Sequence, residues 1–353
     1  MRSLVLACSL VTTLSAQGPV RVVSTMRVDA VAAVEAHLRE RLPDLAFDVQ
    51  RIDEAELVQR FVDGMEVDVV AGVDAQLCEL AAASRRFAPV EFEAGSWYDD
   101  PDHRFVTPWA SGWVMVWITS QVDQPLALEE LITNRWTDEL VVPSPRAAPS
   151  LWAGWLRQLG RSEVDEEEAF GWLHALDGRI VRYTPTIGAA AAAVEMGTGS
   201  LAWLPADVAV EFVERYGRAK LGLGFLREGV ELAPFGVGVV ASSVRPDAAQ
   251  RTFDALLEPE LAIALREEHG LFLPDEATYS ELLQPVFDAQ HAYAPIEAHA
   301  ALDWLHRFDS EVRGKRRGYE NVGYVLDIVM TLAFFVAVWL VMRTINKEEL
   351  DAG

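Results

Sequence analysis

This 353-residue chain predicts a two-lobed α/β fold followed by one membrane-spanning helix. Three observations lead there. Short β-branched runs alternate with amphipathic helical segments over residues 20–83, and the alternation resumes from residue 140. The stretch 105–120 separates the two series, so the chain holds two α/β units. Near the end, Val322–Met342 is an apolar run broken only by Asp327. A helix of about 20 such residues crosses a bilayer.

In the first series, Val20–Ser24 is a short strand. Ala30–Leu42 carries Val31, Val34, Leu38 and Leu42 at helical spacing. Phe47–Val49 is extended, and Glu54–Asp63 puts Leu57, Val58, Phe61 and Val62 on one helical face. Val67–Ala71 has the pattern of a buried strand, and Leu77–Ala83 reads as helix. In the second series, Leu140–Val142, Arg179–Tyr183 and Leu201–Leu204 are strands, and Ser150–Leu159, Glu166–Leu176 and Ile187–Met196 are helices. Phe235–Ala241 is a further strand. Helices Asp247–Leu256 and Glu260–His269 follow, starting after Pro246 and Pro259. This order is the signal for a parallel sheet covered by helices.

The two ends place the chain at a membrane. Tyr319, Tyr324 and Trp339 flank the apolar run, where amphipathic rings favour the lipid–water interface. At the start, Arg2 precedes the apolar stretch Leu4–Leu14 and then Ser15-Ala16-Gln17. That is the form of an export signal over residues 1–16, with an uncleaved N-terminal anchor as the alternative. Cys8 follows Leu6-Ala7, a poor lipid-attachment box. The expected topology is an exported domain held by a C-terminal helix over 322–342. Charge placement runs against it. Arg307, Arg313, Lys315, Arg316 and Arg317 would lie outside, and Arg343 and Lys347 inside.

Composition narrows the function. Apolar residues make up 51% and charged residues 24%, as in a globular protein. The net charge of −24 leaves no basic stripe for a phosphate backbone, so no nucleic-acid partner is expected. With Cys8 in the signal, Cys78 stands alone, which excludes an intramolecular disulfide and a cysteine metal cluster.

Four stretches resemble one family. They are VRVVST with the later MEVDVVAGVDAQL, then PLALEELITNRWTDELVVPSPRAAPS, then RYTPTIGAAAAAVEMGTGSLAWL, and last APFGVGVVASSVRPDAAQRTFDALLEPELAIALREEHGLFLP. In order and spacing they resemble the type II periplasmic solute-binding proteins, in the branch of ferric-, thiamine-, polyamine- and phosphonate-binding receptors. The resemblance covers roughly residues 20–275. It implies two lobes joined by crossovers near Trp109–Gly112 and Leu232–Gly236, with ligand in the cleft between them. Residues 17–112 and 233–312 would build one lobe and 113–232 the other. It also implies an ABC-type permease as partner. Ferric receptors of this branch carry adjacent tyrosines after the strand matching Leu201–Leu204. Here the stretch reads WLPADVAVEF, so a small organic or oxyanion ligand is expected rather than tyrosinate-bound iron.

Loops at the carboxyl ends of strands meet at the crevice of such sheets, and helix N-termini there offer amides to anions. The candidate ligand-binding residues are therefore Ser24 and Thr25 after the first strand, Asp74 after the third, Trp109 and Ser111 at the crossover, Ser144 and Arg146 before one helix, Thr184 and Thr186 before another, and Trp203. Arg146 would pair a carboxylate or phosphonate, and the two tryptophans would supply an apolar wall. A plain helix cap is the competing, and commoner, role for each Ser and Thr, and an exposed loop charge is the alternative for Arg146.

No enzyme is expected. His299, Asp303 and His306 share a helical face, as exposed polar residues of an amphipathic helix commonly do, and no metal site is assigned to them. Gly236-Val-Gly238 lies within a strand-like run rather than at a strand-to-helix turn, so the dinucleotide mechanism lacks its context, and no cofactor is expected. The leading reading is a membrane-anchored solute receptor serving a permease. The alternatives are a ligand-sensing or scaffold subunit of a membrane complex, or a degenerate receptor with an empty cleft.

Overall fold

The computed structural model describes residues 18–313, apart from 65, 93–94, 99, 162–165, 275 and 277. The expected signal over 1–16 and the expected span over 322–342 lie outside the described residues. Among those described, no helix is long and apolar enough to cross a membrane. The chain divides into two compact units, 1–301 and 302–353. Of the second unit, residues 302–313 are described. They finish a helix and form a π-helical turn, with the Trp304 and Phe308 rings stacked at 5.5 Å.

The elements follow the predicted alternation. They are β1 (Val20–Ser24), α1 (Val28–Arg41), β2 (Phe47–Arg51), α2 (Glu54–Asp63), β3 (Val69–Asp74), α3 (Ala75–Ala83), β4 (Val106–Ile118) and the single turn α4 (Leu128–Leu131). Then come β5 (Leu140–Pro143), α5 (Pro149–Arg161), α6 (Glu166–Asp177), β6 (Ile180–Thr184), α7 (Ile187–Glu195), β7 (Leu201–Pro205) and α8 (Ala206–Tyr216). The rest are β8 (Leu221–Gly224), β9 (Val230–Val239), α9 (Pro246–Leu256), α10 (Pro259–His269), α11 (Gln284–Asp288), β10 (Gln290–His291) and α12 (Ala298–Arg307).

The strands run in the order β2-β1-β3-β9-β4-β7-β5-β6, with β8 on β4 and β10 on β9. Two half-sheets share β4. In the first, β1 pairs parallel with β2 and β3 (Val22 opposite Val49 and Val69), and β9 returns antiparallel. In the second, β5 pairs parallel with β6 and β7. Strand β3 is buried along its length, because helices cover both faces of a parallel sheet.

Strand β4 is where expectation and structure differ most. The stretch 105–120 reads as a separator, yet Val106–Ile118 is one long strand that enters both half-sheets. Its first part pairs with β9, from Trp109 opposite Phe235 to Gly112 opposite Leu232. Its second part pairs with β7 and β8. The two stretches expected as crossovers thus lie side by side as neighbouring antiparallel strands. Helix α8 and strand β8 were also absent from the sequence reading.

Two cores flank the first half-sheet. Val20, Val22, Val34, Leu38, Trp109, Phe253 and Leu261 pack on the side of α1, α9 and α10. The other side joins Val70, Cys78 and Phe105 to Val116, Leu204 and Phe212 of the second half-sheet. Within the second, Trp155 meets Trp152 at 4.9 Å and Trp203 at 5.2 Å between ring centroids. Gly72 sets the cleft edge of the first lobe. It sits at the β3 register shift with φ +70°, and a Cβ there would meet Met26 Sδ at 2.4 Å. Its carbonyl accepts from Thr25 N at 3.3 Å and Thr25 Oγ1 at 3.2 Å, which draws the loop after β1 against β3.

Candidate ligand cleft

The carboxyl ends of β1 and β2 face those of β6 and β7 across a cavity of about 510 Å3. Thr25, Arg27 and Glu54 line it from the first half-sheet, and Ile187, Gly188 and Asp207 from the second. Helices α1, α2, α7 and α8 begin at its rim, so their first-turn amides gather there.

Arg27 is the centre of the charge arrangement. Its Nε donates to Asp29 Oδ1 at 3.1 Å, and its Nη1 donates across the cleft to the Asp207 carbonyl at 3.0 Å. Its guanidinium also pairs with Glu211 of α8 at 3.1 Å. Burial alone would lower its pKa, but the bond to Asp29 and the charges of Asp207 and Glu211 outweigh it, so the group is held above its ordinary value. A second cavity, again about 510 Å3, shares Arg27, Asp207 and Glu211 and opens toward His269 and Tyr279. Arg27 therefore stands as a strut between the two cavities.

The carboxyls behind the strut are buried. Asp207 accepts from Ser111 Oγ at 2.6 Å, yet burial still pushes its pKa up. Glu54 opens α2, is 5% exposed, and lines the cavity. Burial, with Asp74 nearby, pushes its pKa up to about 8 against its own backbone amide and Arg51. Arg51 itself pairs with Asp53 at 2.6 Å.

Of the residues expected from sequence, Thr25 lines this cavity and Ser111 supports it through Asp207. Several of the others hold local structure. Ser24 Oγ accepts from Met26 N at 3.3 Å, Thr184 Oγ1 donates to Thr186 O at 3.0 Å, and Thr186 Oγ1 caps α7 by accepting from Ala189 N at 3.1 Å. The Ser144 carbonyl accepts from Ala147 N at 2.8 Å. Asp74 caps α3 at Gln76 N (2.9 Å) and accepts from Ser150 N at the start of α5 (3.3 Å). It is a tie between the half-sheets rather than an open ligand group, and its burial raises its pKa. Three of the expected residues do not line this cavity. Trp109 is fully buried in the core beside α1, α9 and α10, Trp203 is buried against Trp155, and neither is a wall of this cavity. Arg146 is exposed and does not line it either.

Two further ties hold the surrounding elements, the first between α5 and β9 and the second between α3 and the chain before α12. Arg157 Nη2 of α5 donates to Glu231 Oε2 of β9 at 2.8 Å, a pair almost wholly buried. The Gln76 amide exchanges two bonds with the backbone of Ile296, at 2.7 and 2.8 Å. Sequence reasoning missed Arg27, Glu54, Asp207 and Glu211. Arg27 had a usable signal, as a cation at the strand-to-helix turn after β1. The others had none, because Glu54 and Asp207 are acids in helical first turns, ordinarily solvated dipole partners, and Glu211 is an acid in a helix interior.

Residues 20–271 match the family of bacterial extracellular solute-binding proteins. The chain belongs to this family. Solved structures agree on the fold. The periplasmic binding protein AfuA from Actinobacillus pleuropneumoniae, with fructose-6-phosphate bound, superposes with TM-score 0.70 at 13% identity, covering 84% of this chain and 99% of that one. A periplasmic thiamin binding protein gives TM-score 0.68 at 15% identity over 83% and 96% of the two chains. Iron-bound HitA from Pseudomonas aeruginosa gives 0.66 at 16% identity over 82% and 98%. No curated protein sequence matches significantly. The family and these neighbours are binding proteins, not enzymes, and the two-lobed periplasmic-binding fold is common to them and to this solute-binding protein.

The strut gives this binding protein a testable property. Arg27→Ala should cost about 1.5–3 kcal/mol, the range for a hydrogen bond to a charged group. It should also widen the distance between spin labels placed on exposed Val58 of α2 and exposed Met196 after α7, read by pulsed electron resonance on the ligand-free protein. An unchanged label distance would show that Arg27 does not hold the lobes together.

Proposed function

We propose that this protein is a membrane-anchored extracytoplasmic receptor that takes a small solute into the interlobe cavity and delivers it to an ABC-type permease. The observation that carries the reading is the cavity itself. It lies between two half-sheets of a solute-binding fold, at the carboxyl ends of their strands, with helix N-termini and charged side chains turned toward it. The anchor rests on the apolar run 322–342 and the export-like start 1–16. In this reading the lobes are 17–112 with 233–312, and 113–232, and β4 and β9 carry the chain between them. The site residues are Thr25, Arg27, Glu54 and Asp207, with the α7 N-terminus. Ser24, Ser111, Asp74, Thr184 and Thr186 support their positions.

A ligand touching both lobes favours the closed arrangement. It also stabilises the protein by mass action. Thermal melting of the full-length protein against a panel of anions, amines, amino acids, thiamine and ferric ion should raise Tm for one class. The Val58–Met196 label distance should then shorten or narrow. No shift with any class would end the receptor reading.

One observation favours a second reading, a scaffold or sensing subunit. Arg27, Asp74 and Arg157 already tie the lobes together through the protein's own groups, Arg157 by donating Nη1 to the Ala294 carbonyl at 2.5 Å. Under that reading the label distance stays fixed with every solute, and the protein still co-purifies with a membrane partner.

A further inference from the structure

The cavity's two walls carry opposite polarity once the charges that satisfy each other are set aside. Arg27 is engaged by Asp29, Glu211 and the Asp207 carbonyl, Arg51 by Asp53, and Asp207 by Ser111. What remains on the first wall is the Glu54 carboxyl. It is nearly wholly buried, lines the cavity, and among the described residues is hydrogen-bonded only by its own backbone amide.

What remains on the second wall is the start of α7. Its first turn holds no acidic residue, and the Thr186 cap takes the amide of Ala189, leaving those of Ile187 and Gly188 without a helical partner. Both residues line the cavity. An unanswered helix N-terminus attracts an anion, and a buried carboxyl bonded only by its own backbone amide attracts an N–H cation.

We propose that the cavity takes a small zwitterion, its ammonium group on the Glu54 carboxylate and its anionic group on the amides of Ile187 and Gly188. This rests on the receptor reading above and specifies its ligand class. One molecule spanning the two walls bridges the two lobes, so the same contacts give both selectivity and closure. In the empty cavity at neutral pH the Glu54 carboxyl holds its proton. When the ammonium arrives, the carboxyl ionises and that proton passes to solvent, while the ligand keeps its own. Asp74, Arg51 and Asp53 face Glu54 on its own side, and Arg27, Asp207 and Glu211 lie around the cavity. Asp74 is held by Gln76 N and Ser150 N, Asp207 by Ser111 Oγ, and the remaining groups pair with one another, so the pH dependence is expected to follow Glu54. Affinity rises with pH by up to about tenfold per unit and levels off near pH 8.

The test uses the full-length protein, calorimetry, and the ω-amino acids from glycine to 6-aminohexanoate. The n-alkylamines and n-alkanoates of matching length are the controls. One amino-acid length should bind at least tenfold more tightly than either control. Glu54→Gln should remove at least tenfold of that affinity and flatten its pH dependence. Gly188→Asp should weaken binding as well. A Cβ at Gly188 meets nothing within 4 Å, and an acid in a first turn suits the helix, so this variant stays folded. Alkanoates or alkylamines binding as tightly as every amino acid would make the site singly charged and overturn the zwitterion while leaving the receptor. No binding across all three series also overturns it. The receptor reading is judged separately, by the wider solute panel.

Discussion

Asp68→Ala is expected to destabilise the protein by about 3–5 kcal/mol, the cost of stranding one partner of a buried ion pair. Asp68, just before β3, is 2% exposed and accepts three hydrogen bonds at once. They come from Arg21 N at 2.8 Å, Ser243 Oγ at 2.6 Å and Arg245 Nη1 at 2.9 Å. Its backbone joins β1 to the end of β9, donating to Arg21 O and accepting from Val240 N, each at 2.9 Å. Alanine would leave the largely buried Arg245 guanidinium without its anion and orphan the Arg21 amide. Asp68→Asn keeps a hydrogen-bonding oxygen but removes the charge, so it should lie between wild type and alanine. Urea unfolding of the three proteins reads the order. A loss below about 1 kcal/mol for alanine would show that water replaces the carboxylate.

The second large effect depends on pH. Glu54 has a folded pKa of about 8 against an ordinary value of 4.5. Between those values the folded protein keeps a proton that the unfolded chain has released. Stability therefore falls as pH rises through this window, by at most about 4–5 kcal/mol above pH 8. Glu54→Gln removes that proton from the balance. Wild type and variant should be close below pH 4.5, and the variant should be increasingly the more stable up to about pH 8. Asp207 also has a pKa raised by burial, but it is present in both proteins and cancels in the difference, whereas Asp74, raised by burial and repelled by Glu54, adds a contribution of the same sign. A difference curve that stays flat with pH would mean the Glu54 carboxyl is hydrated in the cavity.

The fold was legible where periodicity and burial agree. Val20–Ser24 and Glu54–Asp63 were read at their observed limits, because each is a short element bounded by turn or capping residues. Strand β4 was not legible as a strand. It is buried on both faces and so lacks the alternation that marks a half-buried strand, and Pro108 interrupts it. Helix α8 begins in the stretch WLPADVAVEF, where Pro205 and the β-branched Val208 and Val210 mask the helical spacing of Ala209, Phe212 and Val213. The cavity was legible only as a place. Loops after β1, β6 and β7 do meet there, but which side chains face it depends on local packing. Trp109 turns into a core and Thr186 is consumed as a cap, while Glu54 and Asp207 are left at the surface of a hole.

The paired course of β4 and β9 has a mechanical consequence. Two antiparallel strands bonded from Trp109–Phe235 to Gly112–Leu232 form a ribbon, not a pair of independent strings. A ribbon resists stretching and sliding, because either would break its ladder, but it yields readily to a change of twist. In the proposed division into lobes this ribbon would serve as a torsion bar, and the motion expected of it is a rotation about its own axis.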